Sequence, residues 1–511
     1  MPIRLTVALL LVLLSAPRLS SAEAAHGWPA AEWPHSEPEA QGMNSADLAT
    51  MLEQIEGDNP GIRSVTVVRH GTVVLDTRIS PFPRGDRHDI HSCTKSVLSA
   101  LVGIAIDRGD LPGRDTPVLD FFPDYEIALL DADKRALTLN HLLTMSAGLK
   151  TEDSYLYNWV GLGKMRASPD WAQYILDLPI ETKPGTRFEY SNGVSQLIAI
   201  ILQEATGQSA AAYAREHLFG PIGIVDHAWE GSGPDDSWGY SGLSLDPLDM
   251  ARLGYLYLRG GEWDGVQVVP SNWVEDSTSP QITAGTMADS YGFLWWVDDD
   301  MFMMQGYGGQ FVYVLPAQDL VVVFTGALQQ QRFFTPRRLL SNYIEAAVIA
   351  DHALPANPGA AARLDSLTRV LGSGTVEPLR PLPDLAQSVS GGIFEFAENK
   401  MGLRRLILHF TPGSSEAELA FVVGAVAASI TIGLDGVFRT SELYGQRWAC
   451  RGQWVNGETF VLEQELPGKV LRRRVTLSFQ GDTLSFEIHD RVTDSVDIYS
   501  AKMAAAPPVA K

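Results

Sequence analysis

Three short stretches carry residue types able to run nucleophilic chemistry. Ser92-Cys93-Thr94-Lys95 opens an apolar run through Val97, Leu98, Leu101, Val102, Ile104 and Ala105. Residues three apart on a helix share a face, so the Ser92 hydroxyl and the Lys95 amine can touch. A serine hydroxyl is a poor nucleophile until a base takes its proton, and Lys95 can be that base only as a neutral amine. A place near the positive end of a helix, among apolar neighbours, disfavours the ammonium through both dipole and desolvation. The Ser92 backbone N–H, one of the unpaired amides of the helix start, can donate to a developing oxyanion. Tyr190-Ser191-Asn192 precedes a second apolar run, Leu197, Ile198, Ile200, Ile201 and Leu202. A tyrosine there can share a proton with Lys95 and Ser92, its phenolate stabilised by the ammonium, while Asn192 offers an amide to a substrate carbonyl or to Lys95. Gly306-Tyr307-Gly308-Gly309-Gln310 runs into Phe311-Val312-Tyr313-Val314. Glycines opening an edge strand let a substrate's backbone approach, and the Gln310 N–H would be the second oxyanion donor. Taken singly, the three also read as a capped helix with a solvated lysine, a turn and a hairpin lead-in.

The elements that must position these residues follow from periodicity and punctuation. Ser45 can cap a helix whose Leu48, Met51, Leu52 and Ile55 share one face. Ser64 to Val68 and Thr72 to Asp76 read as strands of a hairpin turning at Arg69-His70-Gly71. A helix is predicted from Ser92 to Arg108 with Gly109 as its stop. A largely helical stretch then extends to about His227, strands return from Tyr291 to Thr325, and Thr335-Pro336 opens a last helix. Strands at both ends of a helical middle argue for an α/β domain, residues 33–352, whose first and last segments share one antiparallel sheet. Residues 353–388, with Pro355, Pro358, Pro378, Pro381 and Pro383, read as a linker. Residues 389–505 show short β runs such as Leu406 to Phe410 and Thr483 to Ile488, a separate all-β domain built as a sheet or barrel.

The chain has 511 residues, 45% hydrophobic and 20% charged, enough for two or three domains with their own cores. Its net charge of −22 argues against nucleic acid or an anionic membrane surface as a partner. Two cysteines, Cys93 and Cys450, cannot build a disulfide framework or a zinc-thiolate site, and Cys93 is expected in the core. There is no GxSxG elbow, HExxH, GxGxxG before a helix, or P-loop. As triad candidates, His91 and His141 lack an Asp at a telling spacing. Arg472-Arg473-Arg474 reads as solvated surface. Residues 1–25 read as a secretory signal, with Arg4, the apolar run Leu5 to Leu14, and small residues near Ala22 and Ala24. That run falls short of the ~20 residues that cross a bilayer, and no later segment is long and apolar enough. The expectation is a soluble bacterial protein, periplasmic or secreted, with no integral membrane segment after signal removal.

In this order and context the three motifs make the chain resemble the class C β-lactamase and penicillin-binding-protein-like serine hydrolases, a group that also holds esterases, D-aminopeptidases and 6-aminohexanoate-dimer hydrolases. The resemblance covers about Trp33 to His352 and includes the runs Leu139 to Leu149, Gly242 to Ala251 and Tyr291 to Trp296. It implies a β-lactamase/transpeptidase-like fold, with Ser92 as acyl-forming nucleophile and Lys95 and Tyr190 as proton-transfer partners. Asn192, Tyr307, Gly308, Gly309 and Gln310 would then line the substrate site, with no metal or other cofactor. One position departs from the pattern. The family's β-lactamases begin the third motif with lysine and many relatives with histidine, whereas this chain has Tyr307, which cannot supply a charge to a substrate carboxylate. That argues against efficient β-lactamase or DD-peptidase activity and for a small uncharged ester or amide. Tyr155, Tyr157, Trp159, Trp238, Trp295 and Trp296 are expected at the cleft or its loops as an apolar substrate side. The other reading is a non-catalytic or merely acylated sensor on the same scaffold.

Overall fold

The computed structural model describes residues 28–29, 32–58, 60–154, 158–233 and 236–504. The 1–25 signal, Tyr155 and Tyr157 lie outside the described residues.

The hairpin Ile62–Arg69 and Thr72–Arg78 joins the late strand Leu320–Gly326 in one antiparallel sheet, Val67 opposite Val322. Gln310–Leu315, Phe302–Gly306 and three two-residue strands extend it in the order expected of successive hairpins. Ile62–Arg69, Gln310–Leu315 and Leu320–Gly326 are buried at every position, because helices cover the sheet and leave no solvent face to demand alternation. Helix Pro247–Leu258 packs closely on it. Asp246 caps that helix by accepting from the Leu248 N–H at 2.8 Å, and a Cβ at Gly254 would stand 2.7 Å from Val312 and Val321 side chains.

The helix carrying the first motif runs Thr94–Arg108 and stops at Gly109 in the left-handed conformation, φ 77°. It packs against helix Ser271–Ser277 through Gly103, where an added Cβ would lie 2.4 Å from the Trp273 ring. Gly103→Ala is therefore expected to destabilise the protein by about 1–3 kcal/mol through overpacking, despite the better helix propensity of alanine. Chemical denaturation measures it, and an unchanged midpoint would show that Trp273 yields freely.

Several local expectations are corrected. Asn44, not Ser45, caps the helix Ser45–Asp58: its Oδ1 accepts the Ala46 N–H at 3.0 Å, while the Ser45 hydroxyl and N–H both go to Glu39 Oε1. The proline-rich 353–388 stretch contains a helix, Pro358–Ser373, that buries Leu364 and Leu371 in the first core beside Ser45–Asp58 and Thr72–Arg78. The flanking prolines masked it, although Pro358 sits at its first turn, where a missing N–H costs nothing.

The C-terminal β domain is a barrel. Nine strands from Ile393–Phe396 to Val496–Met503 form one antiparallel succession, closed where Val426–Gly433 meets Gln446–Trp454 at the pair Gly433 and Arg451. An odd number of alternating strands forces the seam to be parallel, as it is; Arg439–Leu443 hangs on as a tenth strand. Phe394, Leu408, Leu419, Ile432, Leu462 and Leu477 fill the interior. Closure removes the edges an open sheet would expose. The tri-arginine stretch is only partly solvated: the Arg472 side chain is 12% exposed and pairs with Glu465 at 3.2 Å.

Candidate active site

The Ser92 turn is built by its neighbours. The Asp89 carboxylate accepts the His91 N–H at 3.0 Å, His91 takes a left-handed φ of 48°, and a 3-10 turn His91–Cys93 feeds the helix Thr94–Arg108. Cys93 is fully buried, unbridged, and donates its thiol to the Gln310 carbonyl at 3.4 Å. Ser92 is half-buried, beside Lys95, whose side chain is almost wholly enclosed.

Lys95 Nζ lies 3.1 Å from Ser92 Oγ, 2.9 Å from Asn192 Oδ1 and 2.8 Å from the Tyr240 carbonyl. Desolvation brings its pKa down to about 7, against an opposing pull from Asp153. Two of these oxygens can only accept; the third belongs to the Ser92 hydroxyl, which accepts from the ammonium and can donate to the lone pair of the free amine. Gly239 makes the Tyr240 contact available: a Cβ there would stand 2.3 Å from the Ser195 carbonyl, so only glycine lets this loop approach the helix Asn192–Thr206.

Ser191 caps that helix by accepting the Val194 N–H at 3.2 Å, which sets Tyr190 and Asn192 on either side of the helix start. Tyr190 is hydrogen-bonded to Ser92, its ring stacks on Trp296 at 5.7 Å, and Lys95 Nζ lies 4.9 Å from the ring centroid. Burial pushes its hydroxyl well above the usual phenol range, with the Ser92 hydrogen bond opposing. Burial disfavours charge on both groups, so a phenolate on Tyr190 is opposed by its surroundings while Lys95 is brought into the range where its free amine is populated near neutral pH. Asp153 supports the group from behind, accepting the N–H of Asn192 at 3.2 Å and of Leu162 at 3.0 Å.

In the third motif, Gly308 and Gly309 hold φ of 75° and 99°, which explains the glycine pair. The Gln310 side chain turns inward and donates to the Tyr307 and Gly326 carbonyls at 3.0 and 2.8 Å, bracing the turn. Tyr307 stands edge-on between His91 and Trp159, centroids 5.4 and 5.1 Å away, and burial pushes its phenol up to about 12. This wall of the cleft is aromatic and uncharged at neutral pH.

A family model described as Beta-lactamase matches residues 44–340, more than half of the chain. The protein belongs to the beta-lactamase family. Among curated members it is 24% identical over 304 residues to 6-aminohexanoate-dimer hydrolase of Paenarthrobacter ureafaciens, covering 54% of this chain and 76% of that one. It is 25% identical over 272 residues to Esterase EstB of Burkholderia gladioli, covering 49% and 69%. A solved structure from Bacteroides dorei DSM 17855, described as a candidate beta-lactamase, superposes with a TM-score of 0.50 at 18% identity, over 59% of this chain and 99% of that one. This is a serine-hydrolase family with esterase and amidase members.

In this beta-lactamase-family protein, Ser92, Lys95, Tyr190 and Asn192 converge on one point, and the Tyr307–Gln310 turn lies against the Ser92 turn through Cys93. Trp159 and Trp296 reach the cleft residues, and Trp238 stacks on Tyr240 at 5.7 Å. Trp295 does not reach the cleft. It is fully buried against Tyr257 and Phe302, directly before the strand Trp296–Val297. His141 accepts the Thr138 N–H at 3.1 Å as part of a helix cap. Sequence reasoning missed Asp153 and the Tyr240 carbonyl. Neither has a spacing to the serine that marks it, and a backbone carbonyl has no residue signature; Gly239 beside a tyrosine is the only trace.

Proposed function

We propose that this chain is an exported serine hydrolase that cleaves small, uncharged ester or amide bonds through an acyl-enzyme on Ser92. The observation that carries the reading is the buried Lys95 amine, depressed to about 7 and directed at Ser92 Oγ from 3.1 Å. In this scheme Ser92 Oγ attacks the carbonyl carbon and its proton passes to Lys95. The Ser92 and Gln310 amides hold the oxyanion. The proton returns through Tyr190 to the leaving oxygen or nitrogen as the acyl bond breaks. Water repeats the sequence in reverse, losing its proton to the same pair and releasing the acid. Residues 1–25 direct export, and chemistry rests on side chains and amides alone. The names of the two curated relatives, a dimer hydrolase and an esterase, support an amide or ester substrate.

The aromatic wall at Tyr307 sets the substrate class. A panel of p-nitrophenyl esters, linear amides, D-amino-acid amides and a chromogenic cephalosporin tests it: esters or amides are expected to turn over at least tenfold faster than the cephalosporin, in kcat/KM. Tyr307→Lys restores a cation at the mouth and is expected to raise cephalosporin turnover roughly 10-fold, the worth of one charge-assisted hydrogen bond. Brisk cephalosporin cleavage by the unaltered protein would overturn the role given to Tyr307.

A further inference from the structure

Ser92 sits where the preceding turn puts it, and that turn is fastened to the barrel. Asp89 is the fastening point. Its Oδ1 accepts the His91 N–H at 3.0 Å, its own N–H donates to the Gly468 carbonyl at 2.8 Å, and its Oδ2 receives Lys469 Nζ at 3.3 Å. Lys469 and Gly468 belong to the barrel turn between strands Thr459–Glu465 and Arg472–Gln480. Lys469 also pairs with Glu230 at 2.6 Å, on the loop that leads to Tyr240. The Asp89 side chain is only 9% exposed and that of Lys469 33%, so the pair is shielded from much of the screening that weakens surface ion pairs. Burial pushes the Asp89 carboxyl up, yet His91 and Lys469 together hold it below its usual range.

The barrel turn is itself immobilised. Arg63, on strand Ile62–Arg69 and almost fully buried, donates to Glu465 at 3.0 Å and to the carbonyls of Leu466, Lys469 and Leu471. Val470 seats on Gly308, where an added Cβ would stand 2.4 Å from it. His91, directly before Ser92, holds a left-handed φ that a histidine keeps only where its surroundings over-determine it.

We propose that Lys469 of the C-terminal barrel is a positioning residue for the nucleophile: through Asp89 it holds the His91 turn, and so the Ser92 hydroxyl, in line with Lys95. The barrel then acts as a strut of the active site. This rests on the serine-hydrolase reading. A nucleophile displaced by about an ångström loses up to roughly 10²-fold in rate, so a contact without reach to substrate can govern kcat.

The test compares Lys469→Met, Lys469→Arg, Asp89→Asn and the Asp89→Asn/Lys469→Met double variant, using p-nitrophenyl acetate turnover and the rate of Ser92 labelling by a fluorophosphonate. Lys400→Met removes another barrel ion pair, with Asp497, and is the control. Lys469→Met is expected to lower kcat and labelling rate about 10-fold or more while KM stays within about threefold. Lys469→Arg should recover most of it, and the double variant should lose no more than either single one. Unchanged kcat in Lys469→Met, an equal loss in Lys400→Met, or additive losses would overturn the proposal. If Lys469→Met does not fold, Asp89→Asn decides: a kcat loss at constant KM supports the strut, and an unchanged kcat sinks it. An unaltered protein that labels but does not turn over leaves labelling rate as the readout. One that does neither overturns the hydrolase reading and this proposal with it.

Discussion

Replacing Ser92 by alanine is expected to abolish turnover, lowering kcat/KM by roughly 10⁴-fold or more, and to eliminate fluorophosphonate labelling while the fold persists. The size follows from what remains. Without the hydroxyl no acyl-enzyme forms, and the oxyanion donors alone leave only the residual catalysis of a binding pocket. The fold persists because Ser92 is half-buried and its removal leaves Lys95 with both carbonyl partners, Asn192 Oδ1 and Tyr240 O. Intact-mass measurement after labelling, set beside ester turnover and a melting curve, reads all three. Retained turnover in the variant would place the nucleophile elsewhere. Stoichiometric labelling of the unaltered protein without turnover would favour a sensor that is only acylated.

Lys95→Met carries the second largest effect, a fall of about 10²–10⁴-fold in kcat/KM, the range for a lost general base. It comes with a pH signature. A lysine lowered to about 7 is mostly ammonium below that pH and mostly free amine above it. Only the amine accepts the serine proton, so kcat/KM of the unaltered protein should climb about tenfold per pH unit up to about 7 and then level off. Burial keeps the Tyr190 phenol protonated through this range, so Tyr190 adds no second limb. In Lys95→Met the residual rate should lose that limb. The variant also leaves two buried carbonyls without their donor, which costs roughly 1–3 kcal/mol each where no water replaces it, so its melting point should fall. A limb that survives in Lys95→Met would belong to another group, and His91, which burial pushes down from its usual value, is the one to examine.

The strut and the base make separable claims. Lys95 changes the pH dependence of the reaction; Lys469 touches neither Ser92 nor Lys95 and should change its rate without moving the limb.

Much of the beta-lactamase-family domain is legible in the sequence. Period-3.6 apolar runs placed the helices behind Ser92 and Asn192, and β-rich runs bounded by turn residues placed the hairpin and the late strands that share its sheet. The errors arose where a local signal had two physical meanings. Prolines around 353–388 signal a linker and also a helix start, and only burial of Leu364 and Leu371 tells them apart. Asn44 and Ser45 both cap helices; Glu39, six residues from Ser45, takes up the serine and leaves the cap to the asparagine.

Sequence by itself determined the residue types that can react and the spacing that brings each motif onto one side of its own helix or turn, since local geometry depends only on neighbours along the chain. Tertiary structure decided the rest. It buried the amine and the phenol where charge is disfavoured on both, added Asp153 and the Tyr240 carbonyl to the site, and brought a barrel turn nearly four hundred residues away onto Asp89. Charge state and long-range contact depend on how much water is excluded and by what, and packing alone sets that.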